Sequence, residues 1–142
     1  MDIAGEASTL MNIQELGTIA QYRLPVKIFI INNHYMGMVR QWQELLHGSR
    51  YSESYSDALP DFVKLAESFH ARGLRVTRLD ELDDTIRQAL EHDGPVMVDI
   101  CVAEGENCFP MIPSGAAHNE MILGPEQEES GAQVSTEGRM LV

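Results

Sequence analysis

Asp2-Ile3-Ala4-Gly5-Glu6-Ala7-Ser8 and, further along, Val26-Lys27-Ile28-Phe29-Ile30-Ile31-Asn32-Asn33 are the two segments whose reading decides the fold. Each is a short apolar run that ends in a polar turn. Between them Leu10, Ile13, Leu16 and Ile19/Ala20 recur at helical spacing, which predicts an amphipathic helix over 10–23. Ser8-Thr9 would cap it and Pro25 would stop it. Residues 2–44 then read as strand, acidic turn, helix, strand, asparagine pair and second helix. In a parallel sheet both turns fall at one carboxyl edge, where open α/β sheets bind their ligands. The helix would point its positive end at that edge, beside Glu6 and Asn33. A helix amino end attracts phosphate, and a carboxylate near an amide oxygen suits a hard cation such as Mg2+. The ligand these groups fit is a magnesium diphosphate.

Working outward, Met38, Val39, Trp42, Leu45 and Leu46 share one helical face, and His47-Gly48-Ser49 ends that helix. Residues 50–59 are polar and rich in Ser and Tyr, an extended surface loop. Pro60-Asp61 opens a helix with Phe62, Val63, Leu65, Ala66 and Phe69 facing inward and Gly73 as its close. Leu74-Arg75-Val76-Thr77 reads as a short strand, and 80–92 as a long helix with Leu82, Ile86, Ala89 and Leu90 on one face. Val96-Met97-Val98-Asp99-Ile100-Cys101-Val102 reads as a buried parallel strand. Alternating strands and helices predict an α/β fold, a parallel sheet with helices on both faces. After that the pattern breaks. Residues 107–115 hold too much Pro and Gly for a regular element, yet are apolar enough to lie over another surface. The sequence divides into a domain over 1–123, whose last part (about 104–123) is an arm, and an acidic tail over 124–142 expected to be mobile.

Composition excludes several classes. The 22 acidic against 10 basic residues, a formal charge of -12, argue against nucleic acid or an anionic membrane as a partner. No apolar run approaches the roughly 20 residues of a membrane span, so a cytoplasmic protein is expected. Cys101 and Cys108 form no CxxC and have no evident histidine partner, which predicts reduced thiols rather than zinc or a disulfide. Met1 is followed at once by strand and motif, which reads as a fragment of a longer protein.

Gly5-Glu6-Ala7-Ser8, the helix containing Met11-Asn12-Ile13-Gln14-Glu15-Leu16, and Asn32-Asn33 together resemble the thiamin-diphosphate motif, which begins Gly-Asp-Gly or Gly-Asp-Ala and ends in Asn. The continuation Gly37-Met38-Val39-Arg40-Gln41-Trp42-Gln43-Glu44, with Pro110-Met111-Ile112-Pro113-Ser114-Gly115, is more restrictive. It resembles the C-terminal part of the catalytic large subunit of acetolactate synthase. The resemblance covers residues 1 to about 123 and, more loosely, 138–142.

That resemblance implies a transferase of branched-chain amino-acid biosynthesis. It decarboxylates pyruvate on thiamin diphosphate and joins the fragment to a second 2-oxo acid, pyruvate or 2-oxobutyrate. It implies that Glu6, the Asn33 side chain and the Tyr35 carbonyl ligand Mg2+. Gly5, Ala7 and Ser8, with Gly37 and Met38, would contact the cofactor. Met38, Val39 and Trp42 would line the substrate pocket, with Ser114 and Gly115 in an arm over its entrance. No catalytic residue falls within this chain. The family's proton-transferring glutamate and its FAD domain belong to parts not represented in the sequence, so the chain alone is expected to be inactive. The full-length family also implies a homo-oligomer and a regulatory small subunit. One departure stands out: Glu6 occupies the position of the family's Asp.

Other readings compete. A different thiamin-diphosphate carboligase or decarboxylase shares the motif, and a non-catalytic truncated module would keep the fold without the activity. A stripe such as Met38, Val39 and Trp42 is more often core than pocket. His34 and His118 have no spaced acid or nucleophile and read as loop histidines. Asp80, Glu81, Asp83 and Asp84 read as a solvated helix start favoured by the helix dipole, and Tyr51 and Tyr55 as loop anchors.

Overall fold

The computed structural model describes residues 1–124; the tail expected over 124–142 lies, from residue 125 on, outside the described residues. Four strands form one sheet: β1 (Asp2–Gly5), β2 (Lys27–Asn32), β3 (Arg72–Val76) and β4 (Val96–Cys101), in the order β1-β2-β4-β3, every pair parallel. The helices are α1 (Glu6–Met11), α2 (Glu15–Tyr22), α3 (Gly37–Leu46), α4 (Phe62–Ser68) and α5 (Leu82–Glu91). The chain separates into two compact units. One is Met1–Tyr35 with Ser56–Glu104 and holds the sheet; the other is Met36–Tyr55 with the chain from Gly105 onward.

In the sheet unit the two-residue period of the strands sorts the core into two layers. Ile28, Ile30 and Met97 face Leu16, Phe62 and Ala66 from α2 and α4. Phe29, Val96 and Val98 face Val76 and the α5 residue Ala89. Helices therefore cover both faces, as the alternation of elements predicted. Lys27, buried at the start of β2, donates its ammonium to the carbonyls of His92 and Gly94, satisfying acceptors just after α5.

The single helix expected over 10–23 is two short ones. Its first piece starts at Glu6, so Ser8-Thr9 is not the cap; the Thr9 hydroxyl instead donates back to the Gly5 carbonyl at 3.0 Å. Asn12 ends it, its side-chain amide donating to the Ser8 carbonyl and its N–H to that of Thr9. A side chain that serves local carbonyls competes with the helix ladder, and the chain crosses 12–14 in a tight turn before α2 begins. No long helix then aims its dipole at the turns. Gly73 does not close α4 either: Phe69 and the left-handed His70 (φ 60°) do, and Gly73 lies within β3. The helix expected over 80–92 opens as a 3-10 turn, Leu79–Glu81, and Leu90 is 52% exposed, with Thr85 rather than Leu90 buried beside Ala89.

Gly73 is where β3 and α4 touch. A Cβ built there would lie 2.6 Å from the Val63 carbonyl oxygen and 2.7 Å from its Cα, both backbone atoms that cannot swing aside. Gly73→Ala is expected to lower stability by about 1–3 kcal/mol, the scale of overpacking, measured as a lower midpoint in urea with an unchanged slope.

Candidate functional site

Parallel pairing of β1 with β2, with Gly5 opposite Ile31, brings Glu6 and the Asn32-Asn33 pair to one sheet edge. Glu6 is 1% exposed, and its Oε1 is the one buried side-chain polar atom among the described residues with no hydrogen-bond partner. Burial pushes its carboxyl pKa up, and the nearby charge of Asp99 adds to this. The backbone N–H groups of Glu6 and Asn33 and the charge of His34 pull the other way. A buried carboxyl oxygen with no hydrogen-bond partner is costly to keep.

The turn after β2 is tightly held. His34 is left-handed (φ 62°). The His34 N–H donates to Asn32 Oδ1 at 3.2 Å and the Tyr35 N–H to Asn33 Oδ1 at 3.1 Å. The His34 carbonyl accepts the Ser56 N–H at 2.7 Å. Asn33 Oδ1 has a second lone pair for another partner. Asn32 is fully committed to the fold: it is 4% exposed, and its Nδ2 donates to Asp99 Oδ1 at 3.0 Å. Asp99 is itself 2% exposed and accepts the Arg75 Nε–H at 2.9 Å on its other oxygen. Arg75 also bridges to Asp61 Oδ1 at 2.9 Å, and its pKa is raised, first by the hydrogen bond to Asp99. Sequence reasoning missed Asn32, Asp99 and Arg75 as a group. The signal was present in Asp99, a lone acid inside an otherwise apolar strand.

The second unit has its own feature. On α3, Met38, Val39 and Trp42 are 55%, 45% and 42% exposed. They are not core; with His47, Arg50 and Ser52 they line an open groove of about 660 Å³. The opposite face of α3 holds the arm. Gln41, 2% exposed, accepts the Cys108 N–H at 2.7 Å and donates to the Cys108 carbonyl at 3.0 Å, as a neighbouring strand would. Glu44 accepts from Asn107 Nδ2 and from the Tyr51 hydroxyl, and pairs with Arg40. The arm therefore lies over α3. Ser114 and Gly115 sit on its exposed turn, closed by the Ala116 N–H to the Pro113 carbonyl, with Gly115 at φ 82°. They do not line the groove. Cys101 and Cys108 are both free thiols. No described helix is long and apolar enough to cross a membrane.

Residues 1–100 match the family described as thiamine pyrophosphate enzyme, C-terminal TPP binding domain. The chain belongs to that family. Curated relatives include acetolactate synthase large subunits from Parasynechococcus marenigrum, 49% identical over 89% of this chain, and Cyanidium caldarium, 50% identical over 84%. Isozyme 2 of Escherichia coli is 42% identical over 84%. The chain spans about one-fifth of the length of each, 21%, 21% and 22% respectively. Among solved structures, a Rhodococcus jostii thiamine diphosphate-dependent 4-hydroxybenzoylformate decarboxylase superposes with TM-score 0.64 at 28% identity, over 71% of this chain and 19% of that one.

The residues present fit a cation held at the carboxyl edge of this thiamine pyrophosphate domain, because Glu6 Oε1 is buried and unsatisfied. Without a divalent ion, that buried carboxyl costs stability. Glu6→Gln, which removes the charge, is expected to raise the melting temperature in EDTA by about 3–8 °C, on the scale of roughly 1–2 kcal/mol for a chain of this size. Mn2+ should then stabilise the native chain and not the variant. Scanning fluorimetry checks both; an unchanged midpoint in EDTA would mean that Glu6 meets its charge within the chain.

Proposed function

We propose that Glu6, the Asn33 side chain and the Tyr35 carbonyl hold the Mg2+ of a bound thiamin diphosphate, and that the chain serves this role within an acetolactate synthase. The observation that carries the reading is the buried, unpartnered Glu6 oxygen at the edge where the Asn33 turn emerges. Hard oxygen donors are what Mg2+ takes, and it keeps diphosphate and water oxygens for its remaining positions. On this reading Ala7 and Ser8, which follow Glu6 in α1, contact the diphosphate. At Gly5 an added Cβ would meet nothing within 4 Å, so packing within the chain is not what calls for glycine there.

When bound, thiamin diphosphate supplies the electron sink for decarboxylating a 2-oxo acid. In the second unit, the exposed Met38, Val39 and Trp42 give an apolar wall that excludes water and sizes the second 2-oxo acid, pyruvate or 2-oxobutyrate. Identities of 42–50% to acetolactate synthases, against 28% to the decarboxylase, favour this over the decarboxylase reading. In the longer proteins the same reading brings FAD, a homo-oligomer, a regulatory small subunit and a cytoplasmic location. For the chain's organisation it keeps one cofactor-binding portion over 1–123 with an arm from about 104, followed by a tail.

Glu6 is one methylene longer than the Asp it replaces, and Mg2+ demands near-ideal octahedral geometry at roughly 2.0–2.1 Å. Glu6→Asp is therefore expected to tighten Mg2+-dependent binding of thiamin diphosphate by about tenfold, while the native form favours the more tolerant Ca2+ or Mn2+. Calorimetric titration with each metal tests this. Cofactor binding that is equal in native, Glu6→Asp and Glu6→Gln forms would overturn the assignment of Glu6.

A further inference from the structure

Asn32 and Asn33 are adjacent and chemically identical, yet the structure uses them differently. The Asn32 side chain has both its acceptor and a donor engaged inside the protein, at 3.2 Å to the His34 N–H and 3.0 Å to Asp99. Its backbone carbonyl is taken as well, by the Val102 N–H at 2.9 Å. The Asn33 side chain instead accepts from the Tyr35 N–H, which fixes the direction of its oxygen and leaves a lone pair over. Just after them His34 is held left-handed, a conformation a Cβ-bearing residue keeps only where its surroundings enforce it. What enforces it is a short chain of bonds. Arg75 on β3 grips Asp99 on β4, Asp99 grips Asn32 at the end of β2, and Asn32 takes the His34 N–H. The Ser56 N–H closes the other side of the turn through the His34 carbonyl.

We infer that Asn32 and Asp99 are positioning residues, braced by Arg75, whose hydrogen bonds hold the 33–35 turn in the shape that offers Asn33 to a cation. This rests on the cation site proposed above. On this inference neither residue touches the ion; the brace ties the turn to its neighbouring strand β4 and, through Arg75, to β3. Its polarity is specific. Asp99 must accept twice, from Arg75 and from Asn32, while Asn32 must donate once and accept once.

That polarity gives a reciprocal test on the whole chain. In Asp99→Asn a single amide oxygen must serve both donors, so one bond is lost. Mn2+ affinity, read from the EPR signal of the free ion, should fall about tenfold, and exchange of the His34 amide, read by 15N NMR, should quicken about tenfold. Adding Asn32→Asp restores every bond: the new amide at 99 donates to the new carboxylate at 32 and keeps its oxygen for Arg75, and that carboxylate still accepts the His34 N–H. The double variant should return both readings to within about threefold of native. Circular dichroism and β4 amide exchange report whether each variant is folded. A purely structural role would lower the melting temperature while leaving the Mn2+ affinity of the folded protein unchanged, and that result overturns the inference. So does a double variant no better than Asp99→Asn. Glu6→Gln separates the two layers of argument. If it binds Mn2+ as the native chain does, the cation site is misassigned, and the His34 exchange series alone then decides whether the brace holds the turn.

Discussion

Parallel pairing of β2 between β1 and β4 is the constraint on which the rest depends. It sends the ends of β1 and β2 to the same edge, so an acid just past one strand and an asparagine pair at the end of the next meet without any long loop. The central strand is paid little attention by solvent: Lys27, Ile28, Phe29 and Ile30 are all buried. A strand covered on both faces cannot slip register without burying the wrong side chains. The turn after Asn32 leaves directly from that buried strand, which is the kind of support the proposed cation site needs.

Two buried acids sit near this edge and are treated in opposite ways. Asp99 is fully partnered, by Arg75 on one oxygen and Asn32 on the other. Glu6 keeps an oxygen with no partner. Burying a carboxylate is costly unless it is paired, so the first acid reads as part of the framework and the second as the open ligand of the proposed cation site. The separate unit built on α3 follows the same division of labour. Gln41 is buried and spent on the Cys108 backbone, whereas Met38, Val39 and Trp42 leave a large apolar surface open.

Much of this was legible in the sequence. The apolar runs ending in Gly5-Glu6 and Asn32-Asn33 gave the strands and their shared edge, because strand length and polar punctuation are local signals. The helix over 10–23 was not legible as two pieces, since apolar spacing carries on through 12–14 and the side-chain bond of Asn12 to the Ser8 carbonyl is a choice only the folded chain reveals. The role of Gly73 was misread for a related reason. A glycine after a helix looks like its stop, but here it is needed where a strand passes under Val63. The Asn32–Asp99–Arg75 brace joins three strands far apart in sequence, and no spacing rule reaches across them.

The most direct test of the account is an anomalous-diffraction map at the manganese edge, from crystals grown with Mn2+ and thiamin diphosphate. The account predicts one strong peak bonded to the Glu6 carboxylate, Asn33 Oδ1 and the Tyr35 carbonyl, at roughly the 2.0–2.2 Å of a small octahedral cation, with diphosphate oxygens completing the shell. A peak lying elsewhere, such as against the exposed Asp83 and Asp84 at the start of α5, with Glu6 still unliganded, would contradict it.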